Sequence, residues 1–247
     1  MMEQPLPYCG LPPLPGELLE RFNLDPVLLF ALGMAAFFHI AVTHVSRSRW
    51  AALGWFSAAA AFISPLCALS VSLFSARVGQ HMILILVAAP LIALAWPFAG
   101  ARTGVKGLWA SAATFFLALW FWHMPVPYDA TFRSTAAYWT MHVTLFGSAI
   151  LLWRELLHHP VERTAEVLTA GALSSMQMGL LGAVLTFASH PIFLSHLTTT
   201  AIWGLAPLRD QQLGGVFMWV PGILLFLFAA MRSMGRVWST LEGVKPA

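Results

Sequence analysis

Apolar residues run through this chain in long unbroken stretches, not in the alternating pattern of a half-buried strand. The run MILILV at positions 82–87 contains six apolar side chains in succession. A helix of about 20 apolar residues crosses the roughly 30 Å hydrocarbon core of a bilayer, whereas a membrane β-barrel needs polar and apolar residues at alternate positions. The pattern therefore predicts transmembrane helices.

Seven stretches almost free of charge predict an all-α fold, a polytopic membrane bundle of seven transmembrane helices. Asp25-Pro26 marks the start of the first, because a capping carboxylate followed by proline is typical of a helix N-terminus. Ser64-Pro65 interrupts the second, where we expect a kink. The predicted spans are about 27–45, 50–74, 79–96, 107–122, 137–156, 166–188 and 214–237.

Composition supports lipid as the solvent of this protein. Of its 247 residues, 59% are hydrophobic and only 9% are charged, whereas soluble domains carry about 25% charged residues. The net charge of +3 comes from scattered residues without a basic block, which argues against nucleic acid as a partner. Two cysteines cannot form a disulfide framework, and we expect Cys67, inside a predicted span, to be a packing residue.

Basic residues in the loops predict the orientation, because Lys and Arg are enriched in cytoplasmic loops. The first, third and fifth loops, the C-terminal tail and the span ends that adjoin them hold nine, and the remaining segments hold four. This predicts an extracytoplasmic N-terminal segment (1–26), a membrane domain (27–237) and a cytoplasmic tail (238–247). The nine are Arg47, Arg49, Arg102, Lys106, Arg154, Arg163, Arg232, Arg236 and Lys245; the four are Arg21, Arg77, Arg133 and Arg209.

Three different spans carry a histidine toward the outer face in this topology: His81, His123 and His142. Imidazole is the commonest transition-metal ligand, and thioether sulfur prefers Cu(I). Each of the three has a methionine beside it in the chain, and Asp210 and Met218, near the start of the seventh span, complete a candidate metal site. Simpler interpretations stay open: an interfacial histidine can serve only to bond a carbonyl, methionine is commonly a core residue, and Asp210 can cap the seventh helix.

Four segments carry a family resemblance: SARVGQHM at 75–82, WHMPVPYDA at 122–130, MHVTLF at 141–146 and DQQLGGVFMW at 210–219. As an ordered set they resemble the CtaG-type cytochrome c oxidase assembly factors associated with caa-type oxidases. One position departs from the family, which has a histidine where this chain has Arg77. A His-x-x-x-His pair would present two imidazoles on one helix face, and here a permanent cation replaces one of them.

The resemblance implies a seven-helix protein of the bacterial plasma (inner) membrane that helps to form an active haem-copper oxidase. Copper is the implied metal, delivered to or inserted into the oxidase. The implied partners are the oxidase subunits, the lipid bilayer and copper chaperones.

Two other functions stay open at this point. A b-type haem protein would need paired axial histidines, for which His81 and His142 are candidates. A copper or small-solute transporter is the second, with Gln177 as a mid-membrane polar candidate. We find no catalytic triad, phosphate loop or carboxylate pair and expect a protein that is not an enzyme. The lysines, Lys106 and Lys245, lie outside the spans, which excludes a retinal Schiff base.

Overall fold

All regular secondary structure is helical in residues 6–96 and 104–243, the part of the chain that the computed structural model describes. This confirms the all-α prediction. A π-helical segment, Ile83–Ala88, joins α4 to α5. The helices are α1 Pro26–Val42, α2 Ser48–Ile63, α3 Leu66–Ser72, α4 Phe74–Met82, α5 Ala89–Leu94, α6 Gly104–Trp122, α7 Pro125–Ala130, α8 Thr135–Leu157, α9 Thr164–Thr186 and α10 Pro207–Leu241.

Several of these helices are long and apolar enough to cross a bilayer. Four qualify within the described residues: Phe74–Leu94, Gly104–Trp122, Val161–Thr186 and Pro207–Leu241. The α2–α3 pair makes a fifth if the two helices are counted as one bent span. The predicted number of seven is therefore not confirmed, because α1, with 17 residues, and α8 are not among them.

The two local signals in the first half of the chain are confirmed. Asp25 accepts a hydrogen bond from the backbone N–H of Val27 (2.8 Å) and caps α1, whose first residue is Pro26. At Ser64-Pro65 the chain bends by 47° between α2 and α3. Because residue 65 is a proline without an N–H, the Ala61 carbonyl lacks its helical partner, and the side-chain amide of Gln80 donates to it instead (2.8 Å).

A second proline, Pro90, leaves one carbonyl without a helical partner in the π-helical segment that begins two residues after His81. In a π-helix each N–H bonds the carbonyl five residues earlier, so the Ile85 carbonyl would need an N–H at position 90. Residue 90 is a proline, and the indole N–H of Trp153 on α8 donates to Ile85 instead (2.8 Å). This bond ties α8 to the span that carries His81.

The α3–α4 boundary departs from the predicted spans. The chain is extended at Leu73, and α4 begins at Phe74, so the third span starts before position 79. Asp210, predicted to precede the seventh helix, lies in the first turn of α10. It accepts the backbone N–H of Phe74 (2.6 Å) and of Ser75 (3.1 Å) and the Ser75 hydroxyl. Asp210 therefore caps a neighbouring helix, α4, not its own.

Helix packing places α4 and α8 in the interior. The α10 helix packs against α9 and α4, and α8 packs against α6 and α5, whereas α1 packs against α2. The α9–α10 contact depends on small residues, because a Cβ atom on Gly215 would lie 2.6 Å from the Gly182 carbonyl oxygen. Two buried clusters result, the larger built around α4, α6 and α8.

Residues 6–25 fold back over one end of the bundle, which overturns the packing interpretation of Cys67. Cys67 forms a disulfide with Cys9 across a sequence separation of 58 residues, with the two Cα atoms 5.5 Å apart. The ring of Tyr8 stacks on Tyr138 of α8 (4.8 Å between centroids). Its hydroxyl donates to Asp25 (2.6 Å). These contacts hold Cys9 above α3, where the disulfide can close.

Some predicted segments lie partly outside the described residues. These include residues 1–5 of the N-terminal segment, Arg102 of the third loop, and residues 244–247 of the tail with Lys245. The predicted tail, 238–247, begins inside the last turn of α10, which ends at Leu241.

Candidate metal site

Three imidazoles from three parts of the chain meet in the interior. His81 lies on α4, His123 directly follows α6, and His142 lies on α8. The ring centroid of His81 is 5.6 Å from that of His123 and 5.2 Å from that of His142. Each side chain is at most 4% exposed. The three histidines singled out from the sequence are therefore neighbours in the fold.

Two of these rings are fixed by their own helices. Nδ1 of His123 bonds the Leu119 carbonyl (2.7 Å), and Nδ1 of His142 bonds the Tyr138 carbonyl (2.9 Å). Because a carbonyl can only accept, Nδ1 carries the hydrogen in both rings, and Nε2 of the neutral ring holds the lone pair. Metal-binding histidines commonly have this arrangement, with one nitrogen bonded to a backbone carbonyl and the other directed at the metal.

The remaining ring nitrogens have no hydrogen-bond partner in the part of the chain that the structure describes. Within the described residues, Nε2 of His123, Nε2 of His142 and both nitrogens of His81 are buried without a hydrogen bond. Buried polar atoms of native proteins are nearly always paired, and unpaired ones require an explanation such as a missing ion. A metal ion that accepts imidazole lone pairs fits these atoms.

The distances between the ring centroids suit two imidazoles that bind one metal ion, with His81 as a member of either pair. Two imidazoles bonded at about 2 Å to one metal ion have ring centroids about 5 Å apart, close to both measured separations. No three His, Cys, Asp or Glu side chains in residues 6–96 and 104–243 are arranged to hold one ion together. His81 thus forms two adjacent pairs, with His123 and with His142, in place of a closed three-ligand site.

Aromatic side chains enclose the His142 end of the cluster. Tyr138 (4.3 Å), Phe62 (5.1 Å) and Trp139 (6.2 Å) lie within contact of the His142 ring, measured between centroids. Tyr138 and Phe62 are almost completely buried. This shell keeps bulk water from the imidazoles and was not identified from the sequence, although Tyr138 lies four residues before His142, the spacing of one helical turn.

The prediction that Arg77 lies in an outer loop is wrong. Arg77 is 1% exposed and lies on α4, one turn before His81. The guanidinium carbon is 4.4 Å from the Phe132 ring centroid. Its nitrogens donate to the Thr131 hydroxyl (3.3 Å) and the Ser70 carbonyl (3.4 Å).

Among the described residues, the hydrogen-bond partners of this buried cation are all neutral. The ion pair found within residues 6–96 and 104–243 joins Arg154 and Glu155, so Arg77 has no carboxylate partner there. Aromatic faces attract the guanidinium, yet a buried cation without a counter-ion is costly. The position that departs from the family pattern therefore places a positive charge beside the imidazoles.

Asp210 makes contacts other than those expected of a ligand in the imidazole cluster, and Met218 is a buried core residue. The Asp210 carboxylate bonds the N-terminus of α4 and no imidazole of the cluster. Met218 is fully buried in the larger core cluster. Of the methionines next to the three histidines, Met82 and Met141 are buried, whereas Met124 is 51% exposed. A ligand role for Met218 stays a prediction.

The segment between α9 and α10 closes the end of the bundle above Arg77. The Tyr128 hydroxyl of α7 lies 2.7 Å from Nε2 of His196, and Asp129 accepts the Ser195 hydroxyl (2.6 Å). Burial, and then the charge of Arg77, lowers the pKa of His196 to about 3. This ring is therefore neutral at physiological pH and accepts the tyrosine hydrogen.

An apolar cavity of about 610 Å³ lies elsewhere, between α9 and α10. Its lining includes Gly179, Trp219 and Phe226 but none of the three histidines. The polar chemistry of the protein is thus separate from this apolar space.

One comparison with known proteins gives a match. The cytochrome c oxidase caa3 assembly factor family matches residues 28–240, which include all three histidines, Asp210 and Met218. No curated protein and no solved structure matches the chain.

Proposed function

Because the chain belongs to the family of cytochrome c oxidase caa3 assembly factors, we propose that it holds Cu(I) and passes it to a haem-copper oxidase during assembly. The ligands are His81, His123 and His142. The observation that carries this proposal is the set of buried ring nitrogens without a hydrogen-bond partner. Copper is the cargo of the protein and not a permanent cofactor.

The arrangement of the rings suits an ion that must be released. Imidazole and thioether ligands are compatible with copper, and His81 can share one ion with either neighbour. An ion held by two imidazoles leaves more easily than one enclosed by a complete ligand set. Met218 is a candidate soft ligand from α10, and Asp210 supports the site by fixing the start of α4.

We further propose seven spans in the bacterial plasma membrane, with α1 and α8 added to the five of the bundle. The N-terminus lies outside and the C-terminus in the cytoplasm. Disulfides form in extracytoplasmic compartments, so the Cys9–Cys67 bond supports an external location of residues 6–25. Because Arg77 is buried, it no longer counts among the four basic residues predicted for the outer side. Three then remain there, against the nine predicted for the cytoplasmic side.

The proposed partners are oxidase subunits and copper chaperones at the outer face, and the proposed role is not enzymatic. Haem is a weaker candidate than copper. His81 contacts both neighbouring rings at T-shaped angles of 82° and 71°, and aromatic side chains surround His142. This close contact favours a small ion over a macrocycle. A transporter role has no comparable observation in its favour.

The proposed function is tested in cells that lack the protein. Complementation with the wild type should restore a copper-containing, active oxidase, whereas His81→Ala, His123→Ala and His142→Ala should each leave the isolated oxidase low in copper. His190→Ala is the matched control, because His190 is exposed and bonds only Ser189. Immunoblots check that every variant reaches the membrane. Full copper content in all three variants would contradict the proposal.

A further inference from the structure

The Cys9–Cys67 disulfide lies between the protein surface and the aromatic shell of the imidazole cluster. Cys67, on α3, is fully buried. Cys9 is partly exposed and lines an open polar pocket of about 290 Å³ together with Tyr8, Asn23 and Ala68. A small reductant or a metal ion can reach Cys9 through this pocket, and partial exposure is a feature of reactive rather than structural cysteines.

Hydrogen-bond donors are directed at both sulfur atoms. The Tyr138 hydroxyl lies 3.4 Å from Sγ of Cys9 and 3.7 Å from Sγ of Cys67. The side-chain amide of Asn23 donates to Sγ of Cys67 (3.6 Å). Because a disulfide sulfur carries no hydrogen, Tyr138 is the donor, and its single hydroxyl hydrogen is within reach of either sulfur. Such donors stabilise negative charge on sulfur.

A positive charge lies close to the same tyrosine. The Arg77 guanidinium carbon is 5.5 Å from the Tyr138 ring centroid, and no carboxylate pairs with it in residues 6–96 and 104–243. An anionic group at the sulfur pair would reduce the cost of this buried cation. The surroundings of the disulfide are therefore suited to its reduced, negatively charged form.

We propose that Cys9 and Cys67 are a reducible pair whose two thiolates bind one Cu(I) beside the imidazole cluster. An external dithiol supplies two electrons and two protons, becomes a disulfide itself, and leaves two thiols in place of the S–S bond. One Cu(I) then displaces both thiol protons and forms two S–Cu bonds, giving a complex of net charge −1. Thiolates are soft ligands that select Cu(I).

The position of Tyr138 connects this pair with the imidazoles. Its hydroxyl contacts both sulfurs, and its ring centroid is 4.3 Å from that of His142. The role of the pair as an entry site for copper rests on the proposed function, whereas binding of Cu(I) by the two thiolates does not. The two ideas can therefore fail separately.

The test is a Cu(I) titration of the purified full-length protein in detergent, without oxygen, against a coloured Cu(I) chelator. The oxidised protein is compared with protein reduced by a phosphine that is then removed. Reduction should add one Cu(I) per chain, and this increment should be lost in both Cys9→Ser and Cys67→Ser. Tyr138→Phe, which loses the donor to both sulfurs, should weaken the added site.

The control separates the two metal sites. His81→Ala, which removes the ring shared by both imidazole pairs, should lose copper from the oxidised protein yet keep the increment on reduction. X-ray absorption of the copper-loaded, reduced wild type should detect two sulfur neighbours, and this measurement stands even if a cysteine variant does not fold. Three results would each overturn the proposal. They are a reduced protein that binds no more Cu(I) than the oxidised protein, an increment that persists in Cys67→Ser, and a disulfide that resists reduction in the folded protein.

Discussion

His81 and His142 are in T-shaped contact with ring centroids 5.2 Å apart, but of the two described rings only His142 is held by a hydrogen bond, from Nδ1 to the Tyr138 carbonyl. Both nitrogens of His81 are without a partner in the described part of the chain. The ring on α8 is therefore fixed in tautomer and orientation, whereas packing alone positions the ring on α4. We therefore expect His81 to be the side chain that turns toward one neighbour or the other when copper is added.

The cap of α4 gives a first prediction, about Asp210. Asp210→Asn keeps the shape of the side chain but places an amide NH₂ where an oxygen accepts hydrogen from Phe74 or Ser75. Loss of such a buried acceptor should lower the free energy of unfolding by about 1–3 kcal/mol. Thermal unfolding in detergent measures the effect, with Glu242→Gln at the exposed end of α10 as control. A variant of unchanged stability that binds less copper would instead make Asp210 a ligand.

A second prediction concerns the carbonyl that Pro90 leaves free. Trp153→Phe removes the indole donor from the Ile85 carbonyl but keeps an aromatic ring against Phe226, which stacks on Trp153 at 5.0 Å. The unpaired buried carbonyl should cost about 1–3 kcal/mol. Trp238→Phe is the matched control because Trp238 is 65% exposed. Equal unfolding midpoints for the two variants would contradict this account of the π-helical segment.

The third prediction is that the stability of the protein depends on pH through His196. Burial lowers the pKa of this residue to about 3. An unfolded histidine has a pKa of about 6.5, so below that pH the unfolded chain binds a proton that the folded chain does not. The contribution of the neutral His196 ring to the free energy of unfolding is complete above pH 6.5. It falls as the pH falls, by about 2 kcal/mol between pH 6.5 and pH 5.

His196→Gln should make unfolding less dependent on pH over this interval than in the wild type. The measurement is the difference between thermal midpoints at pH 7 and pH 5, with the exposed His190→Gln as control. If the wild type and His196→Gln lose equal stability on acidification, His196 is not the residue that takes up the proton.

Local sequence signals predicted the all-helical class because hydropathy and proline act over a few residues. The Asp25 cap and the kink at Pro65 are of this kind. Partners far apart in sequence could not be predicted in this way. Asp210 bonds Phe74 across 136 positions, and Cys9 reaches Cys67 across 58.

Arg77 shows the same limit for charge. A loop position was the natural expectation for an arginine at the edge of an apolar stretch. Its burial depends on Phe132 and Thr131, which belong to a different part of the chain. Neither neighbour can be assigned to Arg77 from hydropathy alone.

The central claim is that the clustered imidazoles bind Cu(I), and a titration of the purified, oxidised protein tests it most directly. We expect one Cu(I) per chain for the wild type and for His190→Ala. His81→Ala, which removes the ring shared by both pairs, should weaken binding by more than about tenfold, in a protein whose unfolding midpoint shows that it is folded. Equal copper affinity of folded His81→Ala and the wild type would contradict the claim.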